Sequence, residues 1–158
     1  MKKTVYIETS IPSFYHEVRA QPEMVVLRKW TRKWWDSHSH QYALVTGQAV
    51  IDELRRGAHP KQEEALDLIR EVRIIPFEKP VAEIVDAYFR HHLMPRDPAG
   101  DALHLALASY HKCDFLLTWN CNHLANANKF EHIRRINSML GLFIPLLVTP
   151  LELLGKGD

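Results

Sequence analysis

Cysteine is scarce in this chain: Cys113 and Cys121 are the two thiols in 158 residues, too few for a disulfide scaffold. With His111 and His123 they imitate a metal-ligand pattern. The run DFLLT (114–118) between the pairs reads as a buried strand, however, and it moves the chain roughly 15 Å at ~3.3 Å per residue. Tetrahedral zinc holds all its ligands within about 2.3 Å of the metal, so both cysteines are expected as reduced, partly buried thiols. No apolar run approaches membrane-spanning length. The N-terminal MKKTVYIETS turns polar too soon for a secretory leader, and a cytoplasmic protein without membrane partners is expected. A Gly-rich phosphate cradle is absent, as are repeats, low-complexity tracts and linkers. Charge of one sign is lacking as well: 20 basic against 19 acidic residues leave a net +1. Residues 1–60 carry 9 Lys/Arg and 6 Asp/Glu, net +3, and the rest carry 11 and 13, net −2. A nucleic-acid partner would therefore have to be held by a local basic patch rather than by the field of the whole molecule.

The length suits one domain with a substantial core, expected over 1–158 with its core at about 4–150. TVYIE (4–8), YALVT (42–46), RIIPF (73–77), residues 115–118 and FIPLLVT (143–149) read as strands. Pro76 suggests a sheet edge for the third of them. Helices are predicted over 22–37, with Val26, Trp30 and Trp34 on one face, over 47–57 closed by Gly57, and over 61–72, 79–93, 98–112 and most of 123–140. Residues 149–155 begin with the form of a capping box, Thr149-Pro150-x-Glu152. Strands alternating with helices imply an α/β fold: a mostly parallel sheet of about five strands, right-handed crossovers and helices on both faces.

The stretch GDALHLALA (100–108) poses the functional question. Seven of its nine residues are small or apolar, the composition of a buried helix, and a buried carboxylate such as Asp101 is costly unless its charge is compensated. The helix macrodipole contributes roughly 0.3–1 kcal/mol in the first turn, which does not offset deep burial. In parallel sheets ligands bind outside the carboxyl ends of the strands. Glu8 ends the first strand, Glu53 lies two turns into the helix after the second, Asp101 is in the first turn of the helix leading to the fourth, and Asn120 lies two residues beyond the fourth. Three carboxylates there repel one another, and a divalent cation removes the conflict. Hard oxygen donors suit Mg2+ or Mn2+. The other reading is that each acid is solvated or hydrogen-bonded separately.

VYIETSIPSFY, VIDELRRG and GDALHLALASYHKCDFLLTWNCNHLAN resemble the PIN-domain ribonucleases, specifically the VapC-like toxins of type II toxin–antitoxin pairs, over residues 4 to about 150. The most specific part is DALHLALA followed by DFLLTWN. The resemblance implies metal-dependent cleavage of RNA phosphodiester bonds, metal-binding acids at Glu8, Glu53 and Asp101, a fourth catalytic position at Asn120, a small antitoxin partner and a homodimer. It also implies a cation that polarises the phosphoryl group, with Asp101 or Glu53 orienting the attacking water. Two departures stand out. The family usually has Asp where Glu8 stands, one methylene longer, and often an acid where Asn120 supplies no charge. Three formal negative charges suit one tightly held metal, with a second arriving on the substrate phosphate. The departures keep a second reading open, a catalytically weak or inactive PIN-like module that binds RNA or a protein.

Neighbouring residues have structural readings beside functional ones. Asp97, before Pro98, reads as a helix N-cap. Asp114 starts the fourth strand, at the opposite end of the sheet from Asn120, and Asp52 points about 100° away from Glu53 around its helix. Thr9, Ser10 and Thr118 either hold the carboxylates or make turn bonds. His104 reads as a hydrogen-bonded core histidine or as a site residue one turn after Asp101. Arg28, Lys29, Arg32 and Lys33 form a basic stripe, either a solvated face or a phosphate contact. Trp30, Trp34 and Trp35 suit a core or partner interface, or stacking on bases.

Overall fold

The structure, a computed structural model, describes residues 1–96 and 99–155. Five short strands, β1 (Thr4–Ile7), β2 (Ala43–Thr46), β3 (Arg73–Ile74), β4 (Phe115–Leu117) and β5 (Leu146–Val148), pair in parallel in the order β3-β2-β1-β4-β5. Around them lie α1 (Ser10–Tyr15), α2 (Pro22–His38), α3 (Gln48–Arg56), α4 (Gln62–Leu68), α5 (Lys79–Arg90), α6 (Gly100–Tyr110) and α7 (Ala127–Met139). The α/β architecture expected from the alternating pattern is the one found, and β3 is an edge strand. The chain runs outward from β1 in one direction and from β4 in the other. With right-handed crossovers, this reversal puts the helices preceding β3 on one face and those following it on the other. It also creates a switch point between β1 and β4, the crevice where such sheets bind ligands. In contact terms, α1 packs on α2 and α4, α5 packs on α6, and α3 touches both α4 and α6.

The apolar strands explain themselves. Val5, Tyr6, Ile7, Leu116 and Leu117 are all fully buried, as expected for central parallel strands covered on both faces. Helix α6 is buried almost all round, through Ala102, His104, Leu105, Ala106, Leu107, Ala108 and Ser109. Each large aliphatic side chain buried there contributes about 1.5–3 kcal/mol. Helices α5, α6 and α7 end in the same way. Leu93, Cys113 and Leu142 donate their N–H groups five residues back, to Tyr88, Ala108 and Asn137, and the residue before each has a positive φ. That residue is Gly141 after α7, at 71°, but His92 and Lys112 after α5 and α6, both at 55°. These are Schellman closures, two of them without the glycine that would adopt the conformation at least cost.

Several boundaries and one face differ from the sequence reading. Helix α2 buries Thr31, Trp34 and His38, while Val26 is 47% exposed. The period is helical, but the buried face includes a threonine and a histidine that an apolar pattern skips. Trp34 stacks on Tyr42, and Trp30 lies between Lys29 and Lys33, whose ammonium groups sit 5.5 and 5.4 Å from its ring centroid. Helix α7 starts at Ala127 rather than 123, because Asn126 caps it by accepting the Asn128 N–H at 2.9 Å. Helix α4 stops at Leu68, four residues early, and Gly57 closes α3 in an extended rather than left-handed conformation. The Thr149–Glu152 capping box forms reciprocally, at 3.0 and 3.3 Å, over a turn rather than a helix. The cap assigned to Asp97 and Pro98 lies outside the described residues.

Candidate metal centre at the switch point

Glu8 is the first residue beyond β1, and its N–H still bonds to Leu117 on β4 at 3.2 Å. The backbone pairing thus delivers the carboxylate to the crevice between the two strands. Glu8 is 7% exposed, and three donors converge on its Oε1: the Ser10 N–H at 3.1 Å, the Ser10 hydroxyl and the Thr118 hydroxyl at 2.6 Å. The Ser10 Oγ in turn accepts the Trp119 N–H at 2.8 Å, and the Thr118 Oγ1 accepts the Asn120 N–H at 2.9 Å. The loops after β1 and β4 are thereby laced together around one oxygen. Burying a carboxylate is tolerable when charge-assisted bonds replace its hydration.

Glu53 comes from the second turn of α3. Its Oε1 accepts the Thr9 hydroxyl and a hydrogen bond from His104 Nε2 at 2.8 Å. Its Oε2 occupies space left by Gly100: a Cβ at that position would lie 2.2 Å from it. Burial raises the Glu53 pKa, but the His104 hydrogen bond and charge, with Thr9 and Arg56 adding, outweigh it and hold the carboxyl below its ordinary value. His104 is 1% exposed. Burial pulls its pKa down, while the bond to Glu53 and the charges of Glu53, Glu8 and Asp101 prevail and raise it. Its other nitrogen, Nδ1, lies 2.7 Å from the hydroxyl of fully buried Tyr6. Burial, with Glu8 and Glu53 nearby, pushes the Tyr6 phenol well above its ordinary pKa.

One carboxylate or imidazole atom each from Glu8, Glu53 and His104 lie within 4.8 Å of one another. The structure thus brings two of the expected acids together and adds a histidine. Asp101, half-buried in the first turn of α6, falls outside this compact group, and its Oδ1 accepts the Asn120 amide nitrogen at 2.9 Å. Asn120 presents a donor there because its Oδ1 is already taken by the N–H groups of Asn122 and His123, at 3.1 Å each. Asn120 is therefore a hydrogen-bonding support for Asp101, and the oxygen donor expected of it faces its own loop. Thr9, Ser10 and Thr118 all hold carboxylates. Asp114 bonds to the Thr4 N–H at 2.8 Å at the far end of the sheet, and Asp52 pairs with Gln48 at 3.1 Å.

Two contributors escaped the sequence reading. Tyr6 interrupts an apolar strand, and a buried tyrosine hydroxyl needs a partner, a signal that was present in TVYIE. Gly100 at the start of a helix is a weaker signal, since its reason is the side chain of a residue far away in sequence. An open cavity of about 370 Å³ lined by Asp52, Glu53, Arg56, Gly100 and Leu103 adjoins Glu53. Among the described residues, no helix is long and apolar enough to cross a membrane.

The donor set fits a hard divalent cation. In both glutamates the hydrogen bonds from described residues fall on Oε1, which anchors that oxygen and leaves the carboxylate acceptor capacity for an ion. No curated protein matches the chain. The family model described as the PIN domain matches residues 5–129, spanning β1, the Glu53 helix, α6 and the Asn120 loop. Proteins with this domain are typically metal-dependent nucleases. On that match, and with an all-parallel five-stranded sheet that agrees with it, the chain belongs to the PIN-domain family.

Proposed function

We propose that the chain is a divalent-metal-dependent endoribonuclease using Mg2+ or Mn2+, and that it is the toxin of a toxin–antitoxin pair, neutralised by a small antitoxin protein and acting as a homodimer. The observation that carries the nuclease reading is the meeting of Glu8 and Glu53 at the β1/β4 switch point, each anchored through Oε1 and with ligand atoms within 4.8 Å of one another. RNA as substrate, the antitoxin and the dimer rest on the sequence resemblance to VapC-like toxins.

When bound, a divalent cation supplies Lewis-acid polarisation of the scissile phosphodiester and neutralises charge developing there. The chain's own residues do the rest. Ser10, Thr118 and Thr9 fix the two glutamates. Asp101 is the less engaged carboxylate, with Asn120 as its partner, and it takes the proton of the attacking water, whereas Glu53 Oε1 is occupied by Thr9 and His104. Arg56, in the cavity beside Glu53, supplies a cation for the RNA backbone.

Purified protein incubated with mixed RNAs and Mg2+ or Mn2+ is expected to cleave them. Chelator should abolish cleavage, and so should Asp101→Asn in a protein that remains folded. Cleavage that survives both changes contradicts the reading. One feature favours a second reading, a non-catalytic module: the Asn120 oxygen is withdrawn into its own loop. RNA binding without cleavage would select that reading. Growth arrest on expression, relieved by co-expression of a small adjacent gene, tests the toxin role, and light scattering tests the dimer.

A further inference from the structure

We propose that Tyr6 and His104 form a buried relay that positions Glu53, and that His104 does not itself ligate the cation. The inference rests on the metal-dependent reading above and assigns a role within that site. By distance alone His104 qualifies as a third ligand, since its ring nitrogen belongs to the same 4.8 Å group as Glu8 and Glu53. A nitrogen ligand would turn a hard oxygen site toward softer transition metals. Both ring nitrogens of His104, however, are already engaged, Nε2 by Glu53 and Nδ1 by Tyr6.

A carboxylate only accepts, so the 2.8 Å contact between His104 Nε2 and Glu53 Oε1 requires the proton on Nε2. At Nδ1 the Tyr6 hydroxyl, 2.7 Å away, serves either state of the ring. It donates to a neutral imidazole and accepts from an imidazolium. Both arrangements leave Nε2–H on Glu53. The remaining tautomer, with Nε2 bare, sets a lone pair against a carboxylate oxygen at a site that is 1% exposed, where an unmet polar group is costly.

The relay also explains why three separate elements agree on one geometry. Tyr6 lies on β1 two residues before Glu8, which directly follows the strand, so β1 positions one glutamate directly and the other through Tyr6 and His104. Helix α6 carries His104 one turn after Asp101, which ties the orientation of Glu53 to the helix that bears the third acid. Gly100, at the start of that helix, leaves room for Glu53 Oε2, and a Cβ there would stand 3.9 Å from His104 Nε2. With Nε2 protonated, the ion meets oxygen donors alone, as Mg2+ prefers. Partners that orient a ligand in this way typically alter metal affinity by about 10–100-fold when removed.

The test is 15N–1H NMR of the His104 ring in the full-length protein, without metal and with saturating Mg2+. The expected result is a proton on Nε2 in both spectra. Loss of that proton on adding Mg2+, or a 14N coupling to bound Mn2+ in pulsed EPR, would make His104 a ligand and overturn the proposal. Mn2+ affinity measured by calorimetry gives the second readout. His104→Leu is expected to weaken it by about 10–100-fold, and His104→Gln, which returns an N–H donor toward Glu53, should recover most of that loss. Tyr6→Phe, which keeps the packing, should weaken it less than His104→Leu. Unchanged affinity in a folded His104→Leu protein, or no recovery in His104→Gln, contradicts the relay. Should the wild-type protein bind neither Mg2+ nor Mn2+, the nuclease reading falls, and the metal-free spectrum judges the relay alone: a proton on Nε2 supports it and a bare Nε2 ends it.

Discussion

Asn120 gives Asp101 its amide nitrogen, across 2.9 Å, while its carbonyl oxygen caps the N–H groups of Asn122 and His123. An aspartate at this position would keep the two loop bonds but turn a second carboxylate oxygen toward Asp101. In metal-free protein, Asn120→Asp should therefore lower stability by about 1–3 kcal/mol, the cost of a lost bond to a charged group plus repulsion. Added Mn2+ should restore the loss and raise the melting temperature more than it does for the wild type. Thermal melts with and without Mn2+ measure this, and a metal-independent loss would show that Asn120 and Asp101 act apart from the ion site.

Gly100→Ala separates the site from the fold. The Cβ would meet Glu53 Oε2 at 2.2 Å, and the flexible carboxylate has to move. Position 100 is the first residue of a helix, where alanine is otherwise favoured. The variant should keep its stability within about 1 kcal/mol of wild type and lose most of its metal affinity and cleavage. Circular dichroism and Mn2+ calorimetry on the same sample check both halves.

The helix ends allow a prediction remote from the site. His92 and Lys112 both hold φ at 55° in Schellman closures and are exposed. Replacing either by glycine removes a left-handed penalty of roughly 1–2 kcal/mol while adding some unfolded-state entropy. His92→Gly and Lys112→Gly should each stabilise the protein by about 0.5–1 kcal/mol. They should add in the double variant, since they lie on different helices. Denaturant midpoints measure it.

How much of this was legible in the residues varies with what each feature depends on. The strand–helix alternation fixed the sheet, and the edge role of β3 followed from Pro76, because both rest on local pattern. The phase of α2 did not follow: Thr31 and His38 are buried, for reasons that lie in what packs against them. Thr31 accepts the indole N–H of Trp119 at 2.8 Å, for instance, from 88 residues away. Glu8 and Glu53 were candidates from strand ends and topology, with separate solvation left open, and the resemblance to PIN-domain proteins is what selected them. The orientation of Asn120 was not, since an amide offers both a donor and an acceptor and only the loop geometry chooses between them. His104 read as a core histidine or as a site residue, and it is both buried and bonded to Glu53, while Tyr6 read only as part of a strand. Their second role exists only because Glu53 ends above them.

Thiol reactivity gives a simple check on burial. Cys113 is fully buried, and burial, with the Asp114 charge adding, pushes its thiol up to about 12. Cys121 is exposed. Because the thiolate is the reactive species, native protein near neutral pH should release one equivalent of chromophore from a disulfide reagent quickly. The second equivalent should appear only on unfolding, at the rate of the global transition.

Whether Glu8 and Glu53 hold one cation together is decided by calorimetric titration of Mn2+ into wild-type protein, Glu8→Gln and Glu53→Gln. Both glutamates are held in place by neutral donors or His104, so the amides keep much of the packing and remove the charge. The wild type is expected to hold one ion tightly, and each variant to lose most of that affinity with circular dichroism unchanged. Mn2+ binding of equal strength in all three proteins, or none in the wild type, would contradict it.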